Sequence, residues 1–266
     1  MGTTAGTPLT SHGSRVPTTR AARPNTTTAS SQASAPVSAP PPAVVRTMIV
    51  CLPDDLPTEV LADGRDLHRH LGLPATATAV FWTHPKVRPW QRGELIDLRP
   101  GKRGPRWCAG GPLRLLNLDG MRHGAAVAAA VRHQVWTETV RGTRNAHDWN
   151  RYLARHLDQP DRYGHTQAVR DFQAQPRVLA MRAHNAAQPA GPQLDPYELE
   201  ALQAGPAAYQ HLHATAAVCG DALLTADRHT WQPTTGLLAD RIAYLGRANA
   251  HLTHLRPDTR LLAITL

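Results

Sequence analysis

The alternation of apolar and polar positions changes texture twice along this chain. From Met1 to Val45, Thr, Ser, Ala and Pro dominate, with three Arg and no acid, and no apolar period develops. Such a segment buries too little apolar surface to offset its chain entropy, so residues 1–45 are expected to form a disordered basic tail. Short apolar runs bounded by Pro and Gly begin at Thr47, and beyond Asp119 the spacing becomes helical.

Within the first of these regions, Met-Ile-Val-Cys-Leu-Pro at 48–53 and Ala-Thr-Ala-Val-Phe-Trp at 77–82 read as strands. Between them, residues 58–73 read as a helix that buries Leu61, Leu67 and Leu71 and stops at Gly72 and Pro74. The runs Glu-Leu-Ile-Asp-Leu at 94–98 and Pro-Leu-Arg-Leu-Leu-Asn-Leu at 112–118 suggest two more strands. After Asp119, taken as an N-cap, a long helix is predicted with Met121, Ala125, Ala128, Val131 and Val135 on its apolar face. Further helices follow at 145–157, 166–174, 176–187 and 194–203, and Pro176 suits a first helical turn. The stretch 206–227 is read as helix throughout, then 236–255 as the last helix, and the closing Arg-Leu-Leu-Ala-Ile-Thr-Leu as a strand.

The expected fold class is therefore α+β and helix-rich. A small strand and helix layer at 46–119 precedes a mainly helical part at 120–266, and the last strand returns to the sheet, which would join both parts into one cooperative domain. No internal repeat and no sustained heptad pattern are present, so solenoids and coiled coils are disfavoured.

Charge changes this picture at one place. The stretch from Trp82 to Cys108 holds Lys86, Arg88, Arg92, Arg99, Lys102, Arg103 and Arg106 against only Glu94 and Asp97, together with Trp82, Trp90 and Trp107. Cations interleaved with flat aromatic rings neutralise phosphates and stack on bases. Trp82, ending an apolar run, reads as core, whereas Lys86, Arg88, Trp90, Arg92, Arg99, Lys102, Arg103, Arg106 and Trp107 are the candidate polyanion-binding residues. The formal charge of +9 and pI near 10.3 point toward an anionic partner. All but two of the 29 basic residues are Arg, however, and GC-rich coding produces the same skew. No helix-turn-helix, zinc-finger, RRM or KH motif accompanies the charge.

Other chemistry is thinly represented. Cys51, Cys108 and Cys219 are too widely spaced for a disulfide framework or a CxxC metal motif. Cys108 beside Arg106 and two glycines, with His84 or His123 as base, is a weak nucleophile candidate. Among fifteen histidines, His251 and His254 share a helix face, whereas His211 and His213, near Cys219, do not; His68 and His70 are a further pair. HExxH and HxE with PCxxC are missing, as are Walker and dinucleotide-binding glycine patterns. Arg177, Arg182, His184 and Asn185 lie on one short helical run that would line a pocket or, more simply, face solvent.

The leading expectation is a cytoplasmic, non-enzymatic accessory or regulatory protein that contacts nucleic acid or another polyanion, without cofactor or metal. A small-molecule enzyme with a pocket near Cys108 or a His cluster, and a protein-interaction module, are the alternatives. No apolar run of membrane-spanning length occurs, and no secretion signal is expected. The acid-free, Arg-bearing tail matches a transit peptide in composition but lacks amphipathic periodicity. Met48 directly precedes the first strand-like run, so translation starting there is a further expectation.

Overall fold

Continuous apolar runs, as opposed to alternating ones, mark strands covered on both faces, and two such runs form the centre of the sheet. In the computed structural model, which describes residues 47–53, 75–99, 101 and 106–266, β1 (Thr47–Leu52) and β8 (Arg260–Thr265) pair antiparallel from Thr47↔Thr265 to Leu52↔Arg260. Alternate residues serve opposite faces. Ile49, Cys51, Leu261 and Ala263 join the helical core, while Met48, Val50, Leu52, Leu262 and Ile264 pack with Ile96 and Ala109 on the other side. The tail at 1–45 and the helix expected at 58–73, with Leu61, Leu67 and Leu71, lie outside the described residues.

The outer edge of β8 is shared by two short strands, β2 (Thr76–Ala77) and β5 (Gly110–Pro112). The run expected as one strand at 77–82 is thus divided: Thr76–Ala77 joins the large sheet, and β3 (Phe81–Trp82) pairs with β4 (Trp107–Cys108) in a separate two-stranded ribbon. Residues 94–98 and 112–118 are also more broken than predicted. Within 94–98 only Ile96 bridges, to Gly110, directly after the 3₁₀ turn Pro89–Glu94; within 112–118 Pro112 ends β5 opposite Arg260, the 3₁₀ turn Leu113–Leu115 follows, and Leu116 bridges Thr83. Pro112 can stand in β5 only at its end, since it donates nothing to a ladder.

The helices are α1 (Leu118–Thr139), α2 (Trp149–Asp158), α3 (His165–Gln173), α4 (Pro176–Ala187), α5 (Leu199–Gln203), α6 (Pro206–Cys219) and α7 (Leu238–His254). They make the C-terminal part mainly helical, as expected. α1 is capped by Asn117, whose side chain accepts the Gly120 N–H at 2.9 Å, and not by Asp119, which lies inside the helix. Its buried stripe runs through Met121, Ala129, His133 and Trp136, so Ala128 and Val131 face outward. The phase differs from the apolar count because His133 belongs to the core, where its Nε2 meets the Leu202 carbonyl at 3.1 Å.

The predicted helix over 206–227 ends at Cys219. Gly220 takes φ 62°, and a Cβ there would lie 2.7 Å from the Thr47 carbonyl oxygen, a fit open only to glycine. The chain then enters β6 (Ala222–Leu224), parallel to β1, followed by β7 (Thr230–Trp231) antiparallel to β6. The sheet order is β2-β8-β1-β6-β7.

Candidate functional site

The chain leaves the β3/β4 ribbon after Trp82 and rejoins it at Trp107. Register places Trp82 opposite Trp107, with the rings edge to face and centroids 5.8 Å apart. Trp82 lies against α1: its N–H meets the Met121 sulfur at 3.4 Å, and a Cβ on Gly124 would come within 2.7 Å of its ring. Pro89 opens the 3₁₀ turn, and the Arg88 N–H donates to Gln91 Oε1 at 3.0 Å. Arg99 then bridges back to Trp107, with its N–H donating to the Trp107 carbonyl at 2.7 Å.

The two acids of the segment are already committed. Asp97 binds the Arg99 guanidinium through Nε at 3.1 Å and Nη2 at 2.9 Å, and Glu94 holds Arg114, which also pairs with Asp258 at 2.8 Å. Lys86, Arg88, Arg92 and Arg106 are exposed and have no carboxylate partner among the described residues. Trp90 is 71% exposed, with the Arg88 guanidinium 5.2 Å from its ring centre, and Trp107 is 41% exposed. An aromatic ring left this open offers a face for stacking. Lys102 and Arg103 lie outside the described residues.

The same excursion lines a cavity of about 630 Å³. Trp82, Val87, Leu95 and Leu98 give it apolar walls, and Thr83, His84, Arg92, Arg106 and Asn117 give it polar ones. Backbone bonds bring these residues together: the Thr83 N–H donates to the Arg106 carbonyl, the His84 N–H to Leu115, and the Asn117 N–H to Trp82. Among the described residues no carboxylate lines the cavity. Trp82 was expected only as core, and Thr83 and Asn117 carried no signal by residue type. The capping position of Asn117 before Leu-Asp-Gly was the nearest available clue.

A second cavity, of about 480 Å³, has Asp221, Thr234, Thr235, Arg241 and Tyr244 on its walls. Its polar groups are mostly used internally. Asp221 accepts the Thr47 N–H, both threonine hydroxyls donate to Asp240, and the Tyr244 hydroxyl donates to the Cys219 carbonyl.

The other candidates separate. Cys51, Cys108 and Cys219 are buried and unpaired, and burial pushes each thiol up to about 12, so none is a thiolate near neutrality. Among the described residues no hydrogen bond joins Cys108 to His84 or His123. His251 lies 4.0 Å from Cys51 Sγ and edge-on to Trp231, while His254 Nδ1 turns to the Ala250 carbonyl. Among the described residues no group of three or more His, Cys, Asp or Glu is placed to hold a metal ion. His68 and His70 lie outside them.

Arg177 is buried, donating to Thr143, Asn145 and Gln203 and lying over the Trp136 ring, so it fastens the turn after α1. Asn185 bonds the backbone of Leu194, Arg182 bonds Gln173, and His184 meets the Pro192 carbonyl, so these four do not converge on a pocket.

Residue types alone also missed a polar cluster joining α1, the turn before α5, and α6. The Tyr209 hydroxyl donates to Glu198 Oε2 at 2.7 Å, His213 Nε2 is 3.3 Å from the same oxygen, and Arg132 meets His213 Nδ1 at 3.2 Å. Arg132 has no lone pair, so Nδ1 accepts and the ring N–H sits on Nε2, which is buried and close to Glu198 but makes no hydrogen bond among the described residues. Burial raises the Glu198 carboxyl, but the His213 and Tyr209 contacts outweigh it and hold the group below its ordinary range. This cluster lines neither cavity.

Among the described residues no helix is long and apolar enough to cross a membrane. Comparison of the chain with protein-family models, with curated proteins and with solved structures finds no match in any of the three.

Proposed function

We propose that this protein binds nucleic acid through the ridge formed by Lys86, Arg88, Trp90, Arg92, Arg106 and Trp107, acting as a non-enzymatic accessory or regulatory factor. Arg99, Lys102 and Arg103 extend the same segment. The observation that carries this reading is the combination, on one excursion of the chain, of two exposed tryptophans and four cations without carboxylate partners among the described residues. Cations of that kind displace condensed counterions from a phosphate chain, and open indole faces accept bases. A reducing cytoplasm suits three buried, unpaired thiols.

The test is binding of the full-length protein to single-stranded and double-stranded DNA and RNA, and to heparin, across a salt series. Four phosphate contacts on a single strand give a slope of about −2.8 in log affinity against log salt, or roughly 50-fold between about 50 and 200 mM. Replacing Lys86, Arg88, Arg92 and Arg106 together by Ala is expected to reduce the slope by that amount. Arg15, Arg20 and Arg23 remain in both proteins, so the difference isolates the ridge. An unchanged slope overturns the assignment, and equal affinity for heparin turns the partner into a generic polyanion.

A further inference from the structure

We propose that the 630 Å³ cavity lined by the same excursion holds one nucleotide unit, its phosphate on Arg92 and Arg106 and its base against Trp82, Leu95 and Leu98. This rests on the nucleic-acid reading and narrows it to single strands. The volume lies within the ~300–1,000 Å³ of ordinary ligand sites.

The polar wall selects the chemistry. His84 Nδ1 accepts the Lys86 N–H at 3.2 Å, which places its ring proton on Nε2 as a donor. The Asn117 side-chain oxygen is used to cap α1, which leaves its amide N–H₂. Thr83 is buried, lines the cavity, and its hydroxyl has no hydrogen-bond partner among the described residues. Arg92 and Arg106 have no side-chain partner there either. Donors therefore dominate, and the matching ligand is anionic and rich in acceptors. The apolar wall requires more than a bare anion, since phosphate alone would leave Val87, Leu95 and Leu98 against water. A nucleotide satisfies both halves, with base carbonyls and ring nitrogens as further acceptors. Bases inside a duplex are stacked and cannot enter, so the site favours an unpaired strand.

Calorimetry and tryptophan fluorescence on the full-length protein would use AMP, UMP, inorganic phosphate and single- and double-stranded oligonucleotides. Either monophosphate is expected to bind, to compete with the single-stranded oligonucleotide, and to outbind inorganic phosphate. Leu98→Trp, which fills the cavity without removing charge, is expected to weaken monophosphate binding about tenfold or more, the scale of one stacked base. Thr83→Val, nearly isosteric, is expected to weaken it about fivefold, the scale of one hydrogen bond. Both variants need a thermal midpoint and circular dichroism like the parent. Oligonucleotide binding with no monophosphate binding or competition overturns the cavity assignment and leaves the ridge standing. Inorganic phosphate binding as well as AMP overturns the base contact. Loss of all oligonucleotide binding, with monophosphate still bound, instead overturns the ridge reading.

Discussion

The Asp221 carboxylate accepts the Thr47 backbone N–H at 3.1 Å, while the Asp221 N–H donates to the Thr47 carbonyl at 2.8 Å. This reciprocal pair starts the parallel register in which Met48 faces Ala222, and Gly220 lets the chain arrive there from α6. Asp221→Ala is expected to cost about 1–2 kcal/mol, because a partly buried donor loses its partner. Gly220→Ala is expected to cost about 2 kcal/mol through its positive φ and the contact with Thr47. Asp221→Asn keeps an acceptor and should cost less. Urea midpoints order the three; an Asp221→Ala midpoint equal to that of the parent would remove the clamp.

The Glu198 cluster makes part of the stability depend on pH. Its folded pKa is held below the ordinary carboxylate value, so the contribution is present above the unfolded pKa and fades as pH falls through the folded one. Glu198→Gln retains an acceptor for Tyr209 but removes the charge. The stability gap between parent and variant is expected to be largest near neutral pH and to narrow below about pH 4, where the unfolded-state carboxyl protonates. Denaturation curves over that range show it, and a gap independent of pH would contradict the assignment.

Thiol reagents test the burial of the cysteines. With each thiol pushed up to about 12 by burial, native protein at about pH 8 should not react appreciably with a chromogenic disulfide, and denatured protein should release three equivalents. Rapid native labelling of Cys108 would revive a nucleophilic role for it.

Trp90→Ala separates binding from folding at the ridge, and Gly124→Ala does not. Trp90→Ala should leave the thermal midpoint within the scale of surface substitutions, about 0.5 kcal/mol, because the ring is 71% exposed. Its oligonucleotide affinity should fall by about 1–3 kcal/mol if a base stacks there. Gly124→Ala, which drives a methyl into Trp82, should disturb both the fold and the cavity. A Trp90→Ala protein that binds as the parent does would leave the tryptophan without a stacking role.

Local patterns revealed much of the fold. β1 and β8 were legible because strands buried on both faces are continuous apolar runs, and most helices because a 3.6-residue period is local. The strand at 222–224 was not, since Cys-Gly-Asp-Ala-Leu-Leu carries no helix-stopping Pro and its identity comes from pairing with Met48, Ile49 and Val50 far away in sequence. The buried face of α1 was legible at Met121 but not at Ala129, His133 and Trp136, because His133 and Trp136 enter the core only where Leu202 and Arg177 meet them.

The candidate site divides in the same way. Residue types alone marked the concentration of Arg, Lys and Trp between Trp82 and Cys108, since charge and aromaticity are properties of single positions. Which cations stay unpaired was decided by tertiary structure, because Glu94 turns to Arg114, and Arg114 meets Asp258 near the C-terminus. The cavity is likewise a product of folding: Thr83, His84 and Asn117 join Arg92 and Arg106 only after backbone bonds fold the excursion back on itself. Local periodicity records which residues share an element, whereas a concave site depends on distant segments meeting, and that meeting is set by the packing of the whole core.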